Sequence, residues 1–359
     1  AEDAAVDANG YVTATLQGNT ASTQTIGVLA HLDTSSSAPS EGVVPVLHKN
    51  YDGGPIRLKN DVVIAPEENP CLSRCMGDTL ITSDGTTLLG ADDKAGIAEI
   101  MSMVEFYYRA PETPRPTIRI GFTPDEEIGR GTRHFPIEAF GADVAFTLDG
   151  TFDGEINLET FHAHSARVTV TGISTHPGTA KGRLVNALAY MSRFINRLPA
   201  TCRPETTEGR EGFVHPYEIT GTATSCSCHL ILRDFDKKKL RSLGETIESI
   251  AASLTHEEPR LTFEVDITPS YPNMYPYLKK HPEIEARLVE AVRRAGVEPV
   301  IEPIRGGTDG ASLTQAGLPC PNLFTGGLNF HATSEWISTR SMGLAVCAIL
   351  NLMVLYADA

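Results

Sequence analysis

The stretch from Ile118 to Gly131 reads Ile-Arg-Ile-Gly-Phe-Thr-Pro-Asp-Glu-Glu-Ile-Gly-Arg-Gly, so three adjacent carboxylates, Asp125, Glu126 and Glu127, follow directly on a β-branched, apolar run. Neighbouring acids repel, and at the end of a buried strand they also lose hydration, so either a cation sits among them or they face open water. A cation needs further donors, and suitable ones stand at the ends of other apolar runs. Thr25 to Ala30 leads into His31 and Asp33, Leu88 to Ala91 into Asp92 and Asp93, Val144 to Leu148 into Asp149, and Pro321 to Thr325 through Gly326-Gly327 to His331. Ligands of open α/β sheets collect at the carboxyl ends of the strands, so this placement gathers groups far apart in sequence at one sheet edge.

Two imidazoles and three carboxylates, those of His31, Asp92, Glu127, Asp149 and His331, make a hard-to-borderline donor set that suits Zn²⁺. Two ions about 3.5 to 4 Å apart share a carboxylate, and three carboxylates with one hydroxide balance their charge. Asp92, at a helix start between the strand ends, is the expected bridge. Hydrolysis also needs a base that is not consumed as a ligand. Glu126, beside Glu127, is expected to take a proton from the attacking water and pass it to the leaving amine.

Asp33 lies two residues after His31, on the same side of an extended chain, and is placed either to accept the imidazole's second N–H or to make a turn with Thr34. Arg305, before Gly306-Gly307, offers a planar fork for a substrate carboxylate or for an internal ion pair. His176, in Ser174-Thr175-His176-Pro177-Gly178, is either functional or an exposed structural histidine. Cys71 with Cys75, and Cys226 with Cys228 beside His229, lack a second pair at zinc-finger spacing and read as ordinary thiols.

The elements that must position these groups follow from periodicity. Tyr11 to Leu16 and Thr25 to Ala30 read as paired strands across the polar turn Gln17 to Ala21. Thr34 to Leu80 is loop-rich and too long for a connector, so it is expected to cover the site and to order with metal or substrate. Gly90 to Gly96 opens a helix running to about Tyr108, with Ile97, Ile100, Met101 and Val104 on its apolar face and Asp92 and Asp93 suited to its first turn. Alternating strands and helices up to Asp149 indicate an α/β fold with a mixed, largely parallel sheet flanked by helices.

From about Glu155 the pattern changes to a strand (Arg167 to Thr171), an amphipathic helix (Asn186 to Leu198), a strand (Thr222 to Leu232), a helix (Leu240 to Leu254) and a strand (Arg260 to Ile267). This resembles the β-α-β-β-α-β order of an α+β, ferredoxin-like insert. Helices at Pro282 to Ala295 and Ala311 to Ala316, around an extended Pro299 to Pro303, then resume the first architecture. The expected layout is a discontinuous catalytic domain, 1–154 and 274–359, carrying an inserted lid domain, 155–273.

The bulk properties bound the partners. The 359 residues suffice for two domains. A formal charge of −15 without a basic stripe argues against nucleic acid and anionic membranes. The most apolar segment, Leu344 to Tyr356, falls short of the roughly 20 residues that span a bilayer and reads as a buried helix. Seven scattered cysteines require no disulfide and fit a reducing cytoplasm. An opening at Ala1 with a short acidic lead-in suggests a chain clipped at its front.

The motifs His-Leu-Asp-Thr, Gly-Ala-Asp-Asp-Lys-Ala-Gly, Thr-Pro-Asp-Glu-Glu-Ile-Gly-Arg-Gly, Leu-Asp-Gly, His-Pro-Gly-Thr-Ala-Lys-Gly and Ile-Arg-Gly-Gly-Thr-Asp-Gly together resemble the peptidase T family of dinuclear zinc exopeptidases, over nearly the whole chain. Asn50-Tyr51-Asp52-Gly53-Gly54 and Pro319 to Gly327 resemble that family specifically. The resemblance implies release of the N-terminal residue of tripeptides, one zinc on His31, Asp92 and Asp149, and a second on Asp92, Glu127 and His331. Co²⁺ or Mn²⁺ are possible substitutes. It further implies Glu126 as base, Asp33 clamping His31, a cis peptide between Asp92 and Asp93, His176 and Arg305 as substrate-binding groups, and a homodimer formed through the insert. Two departures stand out: the helical segment that normally precedes the first strand is absent, and Ala332-Thr333-Ser334-Glu335-Trp336 replaces the usual Gly-Lys-His-Glu-Phe after the last ligand. Alternatives are a dipeptidase or N-acyl-amino-acid amidohydrolase of the same family, and a non-catalytic metal- or peptide-binding protein that keeps the fold.

Overall fold

The structure, a computed structural model, describes residues 2–358. Strands β1 (Glu2–Val6), β2 (Val12–Leu16) and β3 (Thr25–His31) are followed by four short strands, β4 (Val46–His48), β5 (Ile56–Arg57), β6 (Val63–Ile64) and β7 (Leu80–Thr82). Then come α1 (Ala91–Arg109), β8 (Thr117–Thr123), α2 (Ile137–Phe140), β9 (Val144–Gly150) and β10 (Glu155–Asn157). The middle of the chain forms β11 (His162–Thr171), α3 (Ala187–Arg197), β12 (Phe213–Gly221), β13 (Ser225–Asp234), α4 (Lys237–Glu257) and β14 (Thr262–Tyr271). The last third forms α5 (Tyr275–Leu278), α6 (Pro282–Arg294), β15 (Val300–Ile301), α7 (Asp309–Gln315), β16 (Asn322–Phe324), β17 (Gly327–Leu328), β18 (Trp336–Ser338) and α8 (Thr339–Ala357).

Contacts divide the chain into two units: 1–159 with 274–302 and 308–359, and 160–273 with 303–307. The first unit is built on an eight-stranded sheet in the order β1-β2-β8-β3-β9-β16-β10-β15. Its centre, β8-β3-β9-β16, is parallel. Strands β2 and β3 do not pair as their sequence order suggests; β8 lies between them, antiparallel to β2 and parallel to β3. Ile118, Ile120 and Phe122 are all buried, so β8 gains by having a neighbour on both edges, which a β2–β3 hairpin would deny it.

Side-chain alternation puts Ile26, Val28, Ala30, Phe146 and Leu148 in one apolar cluster with α1, α6 and α8, and Leu29 and Ala145 in another with α2 and α7, so helices cover both faces. The buried face of α1 carries Gly96, Ile100, Met103 and Tyr107, whereas Met101 is exposed, a rotation away from the face read from the sequence. The C-terminal helix is also longer than its apolar core suggests. Ser338 accepts hydrogen bonds from Arg340 N and Ser341 N and so starts α8 at Thr339. Its 19 residues are long and apolar enough to cross a bilayer by those criteria alone, yet Ala345, Ala348, Ile349, Leu352, Met353 and Tyr356 are buried in the core.

The loop-rich segment carries structure of its own. Strands β4 and β7 join β18 and β17 in a four-stranded sheet, above a cluster of Tyr51, Ile56, Ile64, Leu72, Leu80 and Trp336. Strand β10 pairs with β15 and β16 in the large sheet, so the first unit runs to Glu159 rather than ending at residue 154.

In the second unit an antiparallel sheet in the order β12-β13-β11-β14 buries Val168, Val170, Leu230 and Leu232 with Met191 and Phe194 of α3 and Leu240, Ile247 and Leu254 of α4. This is the ferredoxin-like arrangement. Strand β12 escaped the sequence reading because only Phe213 and Val214 are buried along it and it contains Pro216, as edge strands tolerate.

Candidate active site

The register of the central strands brings the candidate donors level. His31, the last residue of β3, pairs with Thr123 at the end of β8, and Leu29 pairs with Thr147 of β9, two residues before Asp149. Past β8, Asp125 adopts a left-handed conformation (φ 60°) and turns the chain into the single 3-10 turn Glu126–Ile128. Asp92 and Asp93 sit at the start of α1 with non-helical torsions, and the peptide between them is cis. His331 has φ 63° on the connection between β17 and β18, and this strained turn aims its ring inward.

Two groups of three donors result, His31-Asp92-Asp149 and Asp92-Glu127-His331, with the ligand atoms of each within 4.8 Å of one another. His31 Nε2 lies 2.7 Å from Asp92 Oδ1 and 3.6 Å from Asp149 Oδ1. His331 Nε2 lies 3.0 Å from Asp92 Oδ2 and 3.1 Å from Glu127 Oε2. The two oxygens of Asp92 therefore face different groups, as a bridging carboxylate requires. The first group is the inner one, with His31 3% exposed, and the second is the outer one, with His331 45% exposed.

Two observations show that this constellation fits cations. His31 Nδ1 stands 3.1 Å from the Asp33 carbonyl, which can only accept, so Nδ1 carries a proton and the Nε2 lone pair of a neutral ring points straight at carboxylate oxygens. Glu127 Oε1 is buried and has no hydrogen-bond partner among the described residues. Left to protons alone, the groups are far from their ordinary states. Burial, reinforced by Asp92 and Glu127, pushes Asp149 up to about 6 against the pull of His31. Hydrogen bonds to Asp92 and Glu127 raise His331 to about 10. Burial opposes charge on His31, but its bonds to Asp149, Asp33 and Asp92 raise it well above the usual imidazole range.

Glu126 is not in either group. Burial, followed by the charges of Asp149 and Asp309, raises its proton affinity well above that of an ordinary carboxyl. Among the described residues none hydrogen-bonds its carboxylate, which leaves it open to a water.

Asp33 does something the sequence did not suggest. Its carboxylate accepts from Glu126 N at 3.0 Å and Glu127 N at 3.1 Å, while His31 is held more closely by the Asp33 carbonyl than by its carboxylate at 3.5 Å. Asp33 thus fixes Glu126 and Glu127 through their backbone, and the His31 imidazole through its own main chain. Lys94 Nζ donates to the Leu32 and Asp33 carbonyls and pins the same turn.

Further residues support these donors from outside the two groups. Asp93 accepts from His31 N at 3.0 Å and Gly96 N at 3.2 Å. Asp309, pushed up to about 7 by burial, accepts from Thr123 Oγ1 at 2.6 Å and packs where a Cβ on Gly131 would stand. Glu335 accepts from three backbone N–H groups at the start of α1. Of these, Asp93 and Asp309 stand at marked places in the sequence, the end of an apolar run and the tight Gly306 to Gly310 loop, though neither place shows this role.

Gly96 is where the helix meets the sheet. A Cβ there would collide with the Leu148 carbonyl oxygen and the Asp93 carboxylate, both immobile. Gly96→Ala is therefore expected to cost about 1–3 kcal/mol of stability, measured by denaturant unfolding of the metal-free chain. Unchanged stability would remove this account of how α1 presents Asp92.

The other two sequence candidates lie in the second unit. His176 is exposed, and its Nδ1 accepts from Gly178 N at 3.1 Å. Arg305 spends both Nη groups on Thr207, Gly209 and Glu211, at 2.8 to 3.3 Å, and stacks over Phe161 and Phe213. In this conformation it holds the 207–211 loop, and a substrate carboxylate would have to displace those bonds.

Residues 158–259 match the family model described as a peptidase dimerisation domain. The chain is 45% identical to a peptidase T of Shouchella clausii over 354 residues, 98% of this chain and 86% of that one. Among solved structures it superposes on a tripeptidase of Staphylococcus aureus with a TM-score of 0.79 at 21% identity, covering 99% of this chain and 89% of that one. It also superposes on the YXEP protein of Bacillus subtilis, a dinuclear metal-binding peptidase of the M20 family, with a TM-score of 0.62 at 16% identity, covering 97% and 85%.

Proposed function

The chain belongs to the peptidase T family and is a metallopeptidase, and from that membership we propose that it releases the N-terminal residue of tripeptides with two bound Zn²⁺ ions and Glu126 as general base. The observation that carries this reading is the split of the Asp92 carboxylate between His31 and His331, which lets two donor groups share one acid. In our assignment His31, Asp92 and Asp149 hold the inner ion and Asp92, Glu127 and His331 the outer one. The ions supply Lewis acidity and a water that ionises near neutral pH. Glu126, its backbone held by Asp33, accepts the water's proton and returns it to the departing amine.

The insert, which carries the dimerisation-domain match, is assigned to homodimer formation. His176 and Arg305 are assigned to substrate binding on family resemblance, with Arg305 exchanging its loop carbonyls for the substrate's terminal carboxylate. The seven unpaired thiols suit a cytoplasmic enzyme.

A peptide panel tests the reading. A tripeptide with a free amine is expected to lose its first residue, and the same peptide acetylated at that amine to react more than about 100-fold more slowly in kcat/KM. Chelation should stop cleavage, and Zn²⁺, Co²⁺ or Mn²⁺ should restore it. Equal turnover of the blocked peptide would instead favour an N-acyl-amino-acid amidohydrolase.

A further inference from the structure

The outer donor group is held in a way that the ligands alone do not explain. Its histidine sits on the exposed connection between β17 and β18, and Asn329 and His331 both occupy the left-handed region there. Such a turn keeps one conformation only if something over-determines it. The next residues supply that. Trp336 is 1% exposed in the cluster with Tyr51, Ile64 and Leu72, and Glu335, also 1% exposed, points the other way into the start of α1. Glu335 Oε2 accepts from Leu89 N at 2.8 Å and Gly90 N at 2.7 Å, and Oε1 accepts from Asp92 N at 3.0 Å.

A buried carboxylate costs several kcal/mol unless hydrogen bonds and charge offset it. Among the described residues no ion pair engages Glu335; three backbone N–H groups do. One side chain thus ties the segment bearing His331 to the backbone of the bridging ligand Asp92. The inner group meets this tie only through Asp92, since His31 is anchored by Asp93 and Asp149 lies within β9, whereas the outer group meets it through both Asp92 and the segment bearing His331.

We propose that Glu335 is a positioning residue that sets the affinity of the outer metal position by locking Asp92 and His331 to each other. The proposal rests on the two-metal reading above. Glu335→Gln keeps the shape but leaves an amide nitrogen facing either Asp92 N–H or the Leu89 and Gly90 pair, so part of the tie becomes a donor–donor contact. Glu335→Asp keeps the charge but draws the carboxylate back from its three donors.

The full chain, stripped with a chelator and titrated with Zn²⁺ in a calorimeter, provides the test. Wild type is expected to bind in two steps. Each variant should keep the tighter step within about 3-fold and lose about 10- to 100-fold at the weaker step; the Tm of the metal-free chain falls by several degrees as buried donors lose their acceptor, so the readout is the selectivity between the two steps. Two wild-type steps in both variants overturn the proposal. So does equal weakening of both steps, the signature of a general structural acid. If Glu335→Gln does not fold, Glu335→Asp decides by the same criteria. A wild-type chain with only one step overturns the two-metal reading together with this one.

Discussion

Glu126→Gln is expected to lower kcat by about 100- to 10,000-fold while the metal content stays at the wild-type level. Glutamine keeps the volume and the backbone bond that Asp33 Oδ1 accepts from residue 126, so the turn that also carries Glu127 should not move. What it loses is the ability to take a proton. Among the described residues no side chain holds the Glu126 carboxylate, which lies among Asp149, Asp309, His31 and Asp92 and has its proton affinity raised by burial and by the two acids first named. A group so placed accepts readily. Because Gln can still hydrogen-bond a water, KM should change little, and the loss should fall on kcat. Near-wild-type turnover by a variant with full metal content would end the assignment of Glu126 as base, and a variant short of metal would mean that the turn, not the proton, was disturbed.

The five donors are visible in the sequence because each ends or closely follows an apolar run, and a parallel sheet puts strand ends side by side. Glu126 is visible because it stands beside Glu127, an acid expected among the donors, and so is left free to move protons. The supports are not visible. Asp93 and Glu335 act by accepting backbone N–H groups, a role that any buried acid can fill and that leaves no period or spacing behind. Asp33 stands out in the sequence for its spacing from His31, yet its carboxylate serves residues more than ninety positions on, which only the alignment of β3 with β8 reveals. The same alignment displaced the hairpin expected of β2 and β3. The rotation of α1 that exposes Met101 follows from the close approach of Gly96 to Leu148, a contact between two elements rather than a property of either. Edge strand β12 had no apolar alternation to find.

Asp92→Asn tests the arrangement at its centre. Only one carbonyl oxygen remains in this variant, so the side chain can serve one donor group and must present an NH₂ to the other. The choice of side is set by the rings. His31 is fixed by the Asp33 carbonyl at Nδ1 and buried against Asp149, so its position tolerates no adjustment, whereas the half-exposed His331 ring can turn. The oxygen is therefore expected to stay with the inner group and the amide to face the outer one. Metal analysis should fall from two ions per chain toward one, the weaker Zn²⁺ step should drop by more than about 100-fold, and tripeptide turnover should fall by at least about 1,000-fold, roughly 4 kcal/mol of barrier. Glu335→Gln is expected to reproduce the selective loss of the outer ion in milder form, because it disturbs the Asp92 backbone and the His331 segment but leaves both carboxylate oxygens in place. The two variants thus rank as ligand and support of one position. An Asp92→Asn chain that keeps two tightly bound ions would show that the bridge lies elsewhere, and among the described residues Asp92 alone belongs to both groups.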